Sequence, residues 1–259
     1  MDLGIKGRKA IICASSQGLG LACATSLARE GCVIFINGRD ESRLARAVAE
    51  IQSATRAQAT PIAADINTEA GRTKLIAACP EADILINNNA GPPPGELADW
   101  DRAAWLAALE ANMLAPILLI RALLPGMRQR GFGRIVNITS AMVKSPRAHM
   151  GLSTAARTGL TALCKSLVPE VAKDNVTINN LLPERIDSGR QRFLAERMSK
   201  MEKITYDEAR AKIVDSVAAK RFGKLVEFGD ACAFLCSEQA SFISGQNLQL
   251  DGGSYKGLI

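Results

Sequence analysis

Short runs of apolar, β-branched residues alternate with longer amphipathic stretches from one end of the chain to the other, and this alternation restricts the fold more than any other feature. A run without a polar side must be covered on both faces, so it reads as a strand of a parallel sheet. The amphipathic stretches between the runs are then the crossover helices that do the covering. Candidate strands fall at 10–14, 33–37, 59–63, 84–87, 134–139, 177–182 and 247–250. Helical patterns fall at 18–30, 41–54, 69–78, 101–130, 152–171 and 227–236, and no internal repeat is present. The expected class is α/β: a doubly wound, seven-stranded parallel sheet with helices on both faces, built as a single domain over residues 1–259.

One segment breaks the rhythm. Residues 188–220 carry many charges and helical propensity but no strand, and an insertion after a strand's carboxyl end borders the ligand crevice of an open α/β sheet. It reads as a helical flap over a substrate, with a surface helix pair of no ligand role as the alternative.

Composition closes several other routes. At 47% hydrophobic residues the chain is not disordered, and its longest apolar run, 113–124, is short for a bilayer span, so no membrane partner is expected. The formal charge of +6 is scattered and only 4% of residues are aromatic, so neither a basic tract nor stacking platforms point to nucleic acid. The odd count of seven cysteines in apolar stretches reads as reduced, packed thiols, and a single histidine leaves a metal site short of ligands. Residues 6–24 imitate a signal peptide, but Ser15, Ser16 and Gln17 interrupt its apolar part, which favours a cytoplasmic location.

Directly after the first strand stands Cys13-Ala14-Ser15-Ser16-Gln17-Gly18-Leu19-Gly20, and a helix opens from it. Small residues there let the backbone approach a diphosphate, and the free amides and positive end of the helix supply an anion site. The turn resembles the Thr-Gly-x-x-x-Gly-x-Gly fingerprint of the short-chain dehydrogenase/reductase family, with Cys13 and Ala14 in place of its first two members. The resemblance continues in order through Asp65 after the third strand, Asn88-Asn89-Ala90-Gly91 after the fourth, Asn112 in the long helix, Ser140 after the fifth strand and Pro183 after the sixth. It closes with Phe242-Ile243-Ser244-Gly245-Gln246 and Asp251-Gly252-Gly253, so it covers almost the whole chain. It implies a Rossmann fold similar to that of 3-oxoacyl-acyl-carrier-protein reductases, with a dinucleotide held by Ala14, Ser16, Gln17, Gly18, Leu19, Gly20, Asp65, Ile66, Asn89, Ala90, Gly91, Arg157, Pro183, Ile186 and Ser188. Ser188 stands where the family has a threonine that bonds the carboxamide, and Glu184 replaces the glycine after Pro183.

The loop after the second strand meets the adenosine ribose in this family. Here it reads Asn37-Gly38-Arg39, with no carboxylate for the ribose hydroxyls and with a cation able to pair with a 2′-phosphate, so NADP(H) is favoured over NAD(H).

The family's serine, tyrosine and lysine are spaced by thirteen and four residues, and counting from Ser140 lands on Ser153 and Arg157. The stretch 159–167 resembles the family's continuation of that helix without a gap, so no shift of register restores the tyrosine and lysine. Ser153 lacks a phenol's acidity and reach, and an arginine keeps its proton. His149, the only histidine, lies four residues before Ser153 and could act through water, or be a loop residue with no role. The expected catalytic set is Ser140, Asn112, Ser153, Arg157 and His149. The resemblance implies hydride transfer between a nicotinamide and a small-molecule carbonyl, such as a 3-oxoacyl group, or secondary alcohol. The alternatives are an NADP-binding pseudoenzyme without turnover and a purely structural subunit. The family pairs subunits through its fifth and sixth helices, and Leu106, Met113, Ile117, Ile120, Leu160 and Leu163 offer apolar surface for a homodimer or homotetramer.

Overall fold

The structure is a computed structural model that describes residues 2–258. Its sheet holds seven strands: β1 (Lys9–Ile12), β2 (Val33–Gly38), β3 (Ala59–Ala63), β4 (Ile84–Asn87), β5 (Gly133–Ile138), β6 (Val176–Pro183) and β7 (Asn247–Leu250). All neighbours pair in parallel, in the order β3-β2-β1-β4-β5-β6-β7. Every residue of β4 and β5 is buried, as strands covered on both faces must be. Successive residues of β1 feed different cores: Ala10 and Ile12 pack on one side and Ile11 on the other, followed there by Cys13 just beyond the strand.

The first side is covered by α1 (Gly18–Arg29), α2 (Glu41–Thr55) and α9 (Leu225–Leu235), through Leu27, Leu44, Ile51 and Phe228. The second is covered by α3 (Glu69–Ala78), α5 (Ala115–Gln129) and α6 (Gly151–Val171), through Leu75, Leu119, Leu123 and Leu160. The strand order reverses between β1 and β4, and a crevice opens there at the carboxyl ends of the strands.

Three local features depart from the sequence reading. The first strand ends at Ile12, because Ala14 adopts a left-handed backbone (φ 43°) that no strand contains. The helix expected at 101–130 is α4 (Arg102–Leu109) joined to α5 by a π turn, Glu110–Leu114, which inserts one residue into the spiral. The whole stretch, Arg102–Gln129, has 28 residues and by length and composition could cross a membrane, which the run 113–124 alone did not suggest. In this fold it is a core helix, with Leu119, Ile120, Leu123 and Met127 buried.

The apolar surplus expected for subunit pairing also shrinks. Ile120 and Leu160 belong to the core, and Met113 and Ile117 pack partly against it, which leaves Leu106 exposed and Leu163 half-buried. Two helices, α7 (Gly189–Glu202) and α8 (Tyr206–Asp215), occupy the 188–220 segment and pack on each other around Ala195, Ala209 and Ile213. Arg190 Nη2 donates to the Pro92 carbonyl at 3.1 Å and Arg197 Nη1 to that of Pro94 at 3.2 Å, fastening α7 to the loop after β4. All seven cysteines are buried and unbonded, and burial pushes the thiols of Cys13 and Cys32 up to about 12.

Candidate active site

The turn between β1 and α1 is braced from below. Ser15 Oγ donates to the Ile12 carbonyl at 2.7 Å and accepts from Asn37 N at 3.0 Å. Asn37 Oδ1 accepts from Ala14 N at 3.3 Å, while its Nδ2 donates to the carbonyls of Ile62 (3.2 Å) and Ala64 (3.0 Å). Asn37 therefore ties the ends of β1, β2 and β3 together, and its amide is used up inside the protein. Gly18 has φ 61° and nothing within 4 Å of where a Cβ would stand, so the amide end of α1 is open. A Cβ on Gly20 would come within 2.5 Å of the Ala14 carbonyl, so the helix can approach the turn this closely only without a side chain.

Arg39 is exposed and its guanidinium lies 4.0 Å from Asp65. Arg43, in the first turn of α2, borders the same space. It was not among the residues picked out from the sequence, although it follows Arg39 by four positions.

A cleft of about 1040 Å³ opens at the carboxyl ends of β1 and β4. Of the residues expected from the sequence, all but two line it; the exceptions are Gly20, which packs beneath the turn, and Asn112, which sits one layer deeper. The buried Asn112 lies in the π turn, where its Nδ2 donates to the carbonyls of Ala90 (3.3 Å) and Ala108 (3.4 Å). Its Oδ1 is buried with no partner among the described residues. Ser140 Oγ accepts from Met142 N at 3.2 Å and caps the short turn Ala141–Val143, which leaves its own proton free to donate.

Ser153 and Arg157 stand one turn apart on α6 and are both buried. Arg157 Nε donates to Ser153 Oγ at 3.2 Å, Nη1 to the Ile138 carbonyl at 2.6 Å and Nη2 to that of Asn89 at 3.5 Å. Among the described residues no carboxylate lies within 4.0 Å of it. Burial, reinforced by the charge of Arg190, lowers its pKa to about 10, so at neutral pH it remains a cation in a dry setting. His149 is exposed in the turn Ala148–Met150; its carbonyl accepts from Gly95 N at 3.0 Å, and its ring makes no hydrogen bond among the described residues. The carboxylate of Glu184 is matched by Arg147 at 2.8 Å.

Four further arginines of the lining, Arg147, Arg185, Arg190 and Arg192, escaped the sequence reading. For Arg190 and Arg192 a run of charges on a helical segment looks the same whether it faces water or a cleft, so the only signal was the departure of 188–220 from the strand-helix rhythm; Arg147 and Arg185 stand in loops that carried no signal.

A family model described as enoyl-(acyl carrier protein) reductase matches residues 13–255. The NADPH-dependent reductase BacG of Bacillus subtilis is 32% identical over 257 residues, 97% of this chain and 99% of that protein. The crystal structure of L-sorbose reductase from Gluconobacter frateurii, complexed with NADPH and L-sorbose, aligns over 100% of both chains with a TM-score of 0.94 and 30% identity. A 3-oxoacyl (acyl-carrier-protein) reductase from Agrobacterium tumefaciens C58, with NADP bound, aligns over 97% of this chain and 96% of its own, with a TM-score of 0.88 and 27% identity.

Proposed function

Because the chain belongs to the short-chain dehydrogenase/reductase family, we propose that it is an NADP-dependent oxidoreductase interconverting a carbonyl and a secondary alcohol. The observation that carries this reading is one cleft that joins an open helix end, an arginine pair and a buried cation with unused donors. The residues suit the dinucleotide: Gly18 and Gly20 clear the approach to the turn, the amides of α1 face the space a diphosphate needs, and Arg39 with Arg43 offers two cations to a 2′-phosphate. Asp65 and Ile66 then border the adenosine side, Asn89, Ala90 and Gly91 lead from it toward Arg157, and Pro183, Ile186 and Ser188 border the nicotinamide side. When bound, the nicotinamide supplies or accepts the hydride.

The chain's own part is to hold the substrate oxygen and manage its charge. Ser140 donates its hydroxyl proton to that oxygen. Arg157 adds N–H groups in a setting with little water, where a fixed cation stabilises developing negative charge far better than it would in solvent. With a pKa near 10 it keeps its proton and so stabilises without relaying. The Ser153 hydroxyl accepts from Arg157 Nε and has its own proton to give, which makes it the nearest source on the helix. Asn112 Oδ1, buried and unpaired, is the acceptor that anchors a water behind it. His149, exposed at the mouth, reaches the site only through solvent. The α7–α8 pair, fastened to the loop after β4, covers the substrate end.

A second reading, a nucleotide-binding protein without turnover, is favoured by the same Ser153 and Arg157, since neither matches a phenol as an acid. Oxidation of NADPH against a panel of ketones, sugars and 3-oxoacyl thioesters, beside a titration of NADPH and NADH, separates the two. Turnover with at least one carbonyl class is expected; tight NADPH binding with no turnover across the panel would leave only the second reading.

A further inference from the structure

The cleft has a cationic wall with no anion to match it. Arg147, Arg157, Arg185, Arg190 and Arg192 line it, and the one carboxylate on this side, Glu184, is held by Arg147 at 2.8 Å and also acts by charge on Arg185, so one anion faces five cations. Half-buried arginines elsewhere are paired, Arg72 with Glu110 at 3.0 Å, Arg128 with Asp174 at 2.6 Å and Arg210 with Asp187 at 3.0 Å, whereas Arg197, which repels Arg190, has only the Pro94 carbonyl among the described residues. Among the described residues, Arg157, Arg185, Arg190 and Arg192 have no carboxylate within 4.0 Å.

The donors of Arg185 and Arg190 are also largely unused. A guanidinium carries five N–H groups. Arg190 directs one to the Pro92 carbonyl at 3.1 Å, and Arg185 directs one to Gln191 Oε1 at 3.4 Å. Both side chains are half-buried, and burial lowers the pKa of each, so neither guanidinium is fully solvated. Arg185 adopts a left-handed backbone (φ 57°), a costly conformation for a residue with a Cβ, and such strain collects where a side chain must be aimed. Arg190 also acts on Arg157 by repulsion, which places two uncompensated cations across one space. Such a grouping is unfavourable by itself and becomes favourable when an anion enters.

Resting on the oxidoreductase reading of this cleft, we propose that its substrate carries an anionic group, a carboxylate or a phosphate monoester, and that Arg190 and Arg185 bind it. The same charges could instead serve the diphosphate of the dinucleotide. The nucleotide end has its own provision in the α1 amides, Arg39 and Arg43, and Arg190 is fastened to Pro92, on the loop beyond Gly91, which points to the substrate as the source.

The test is calorimetric titration of benzoate, phenyl phosphate and the neutral benzamide into the NADPH-saturated protein, repeated with Arg190→Gln and Arg190→Lys. At least one of the two anions should bind about tenfold or more tightly than benzamide, the range for charge-assisted hydrogen bonds. Arg190→Gln should bring that preference close to one, Arg190→Lys should keep part of it, and NADPH affinity should hold within about threefold in both. Equal binding of anions and amide by the parent would overturn the proposal. So would an Arg190→Gln variant that loses NADPH affinity while keeping the anion preference, since the charges would then belong to the diphosphate. If Arg190→Gln does not fold, Arg185→Gln provides the same readout. Failure of the oxidoreductase reading would appear separately, as NADPH that does not bind the parent or is not oxidised with any carbonyl, whatever the anion preference.

Discussion

Arg134 and Arg157 are both buried, at opposite ends of the same sheet, and their surroundings differ in every respect that matters for a charge. Arg134 enters from the amino end of β5. Its Nε donates to the Ser237 carbonyl at 3.2 Å and its Nη1 to those of Gly133 (3.0 Å) and Asn175 (2.8 Å). Its Nη2 meets Asn175 Oδ1 at 3.3 Å and Glu238 at 3.7 Å, and the Phe132 ring lies 4.3 Å from the guanidinium carbon. Arg157 sits at the carboxyl end with three acceptors and no carboxylate. Two of its N–H groups are unused. Burial of a charge is tolerated when its donors are satisfied and a counter-charge is near; Arg157 meets neither condition in full, and it stands beside the cleft, as a ligand-binding cation would.

That contrast can be broken most forcefully at Arg134. Arg134→Ala removes the donor to the Ser237 and Asn175 carbonyls and to Asn175 Oδ1 and leaves Glu238 with Arg8 alone at 3.8 Å, and a loss of about 2–4 kcal/mol in stability is expected, roughly 4–16 °C in melting temperature for a chain of this size. NADPH affinity of the surviving folded protein should be unchanged. Scanning calorimetry with a nucleotide titration checks both, and a small thermal effect would show that the network at the amino end is incidental.

Arg157→Met should do the reverse. Turnover is expected to fall about 10²–10³-fold, the scale for removing one preorganised stabiliser, while the melting temperature holds or rises because an uncompensated buried cation has gone. Steady-state kinetics beside calorimetry checks both: a melted protein would make Arg157 as structural as Arg134, and unimpaired turnover would remove it from the chemistry.

A third arginine sharpens the comparison from outside the core. Arg39 is exposed, so Arg39→Ala should leave stability alone and weaken NADPH about 10- to 100-fold with little effect on NADH. Equal weakening of both cofactors would remove the 2′-phosphate from the account. The smallest effect is expected at Ala14, whose left-handed backbone suits glycine better. Ala14→Gly should add about 0.5–1 kcal/mol, strain relieved less the entropy a glycine brings, and denaturant titration should resolve it. A destabilised variant would mean that the methyl group has packing value that outweighs the strain.

The sheet was legible because a strand such as Ile84–Asn87, buried on both faces, has to be written in residues that nothing but a core accepts. The nucleotide turn was legible because close approach demands small residues, as at Gly20. The π turn at Glu110–Leu114 was not, since its residues are ordinary helix formers and the extra one is accommodated by packing against the neighbouring helix and loop rather than by local preference. The arginines of the segment after β6 were hidden for a related reason. Whether Arg190 faces water or Pro92 depends on how α7 is hung over the cleft, and that is fixed by contacts almost a hundred positions away in the chain.

The seven buried thiols turn the molecule into its own reporter. A thiol reagent attacks thiolates that it can reach, and here none is within reach while the chain is closed. Labelling therefore runs no faster than local opening, and each cysteine becomes a clock for the element that shelters it. Cys13 is placed at the root of the phosphate turn, so its clock alone senses the nucleotide most directly. At a free concentration of 100 times the dissociation constant, a nucleotide that must leave before the turn opens would slow the modification of Cys13 by about 100-fold. Cys79, at the end of α3 and far from the turn in sequence, provides the internal standard for opening elsewhere in the chain.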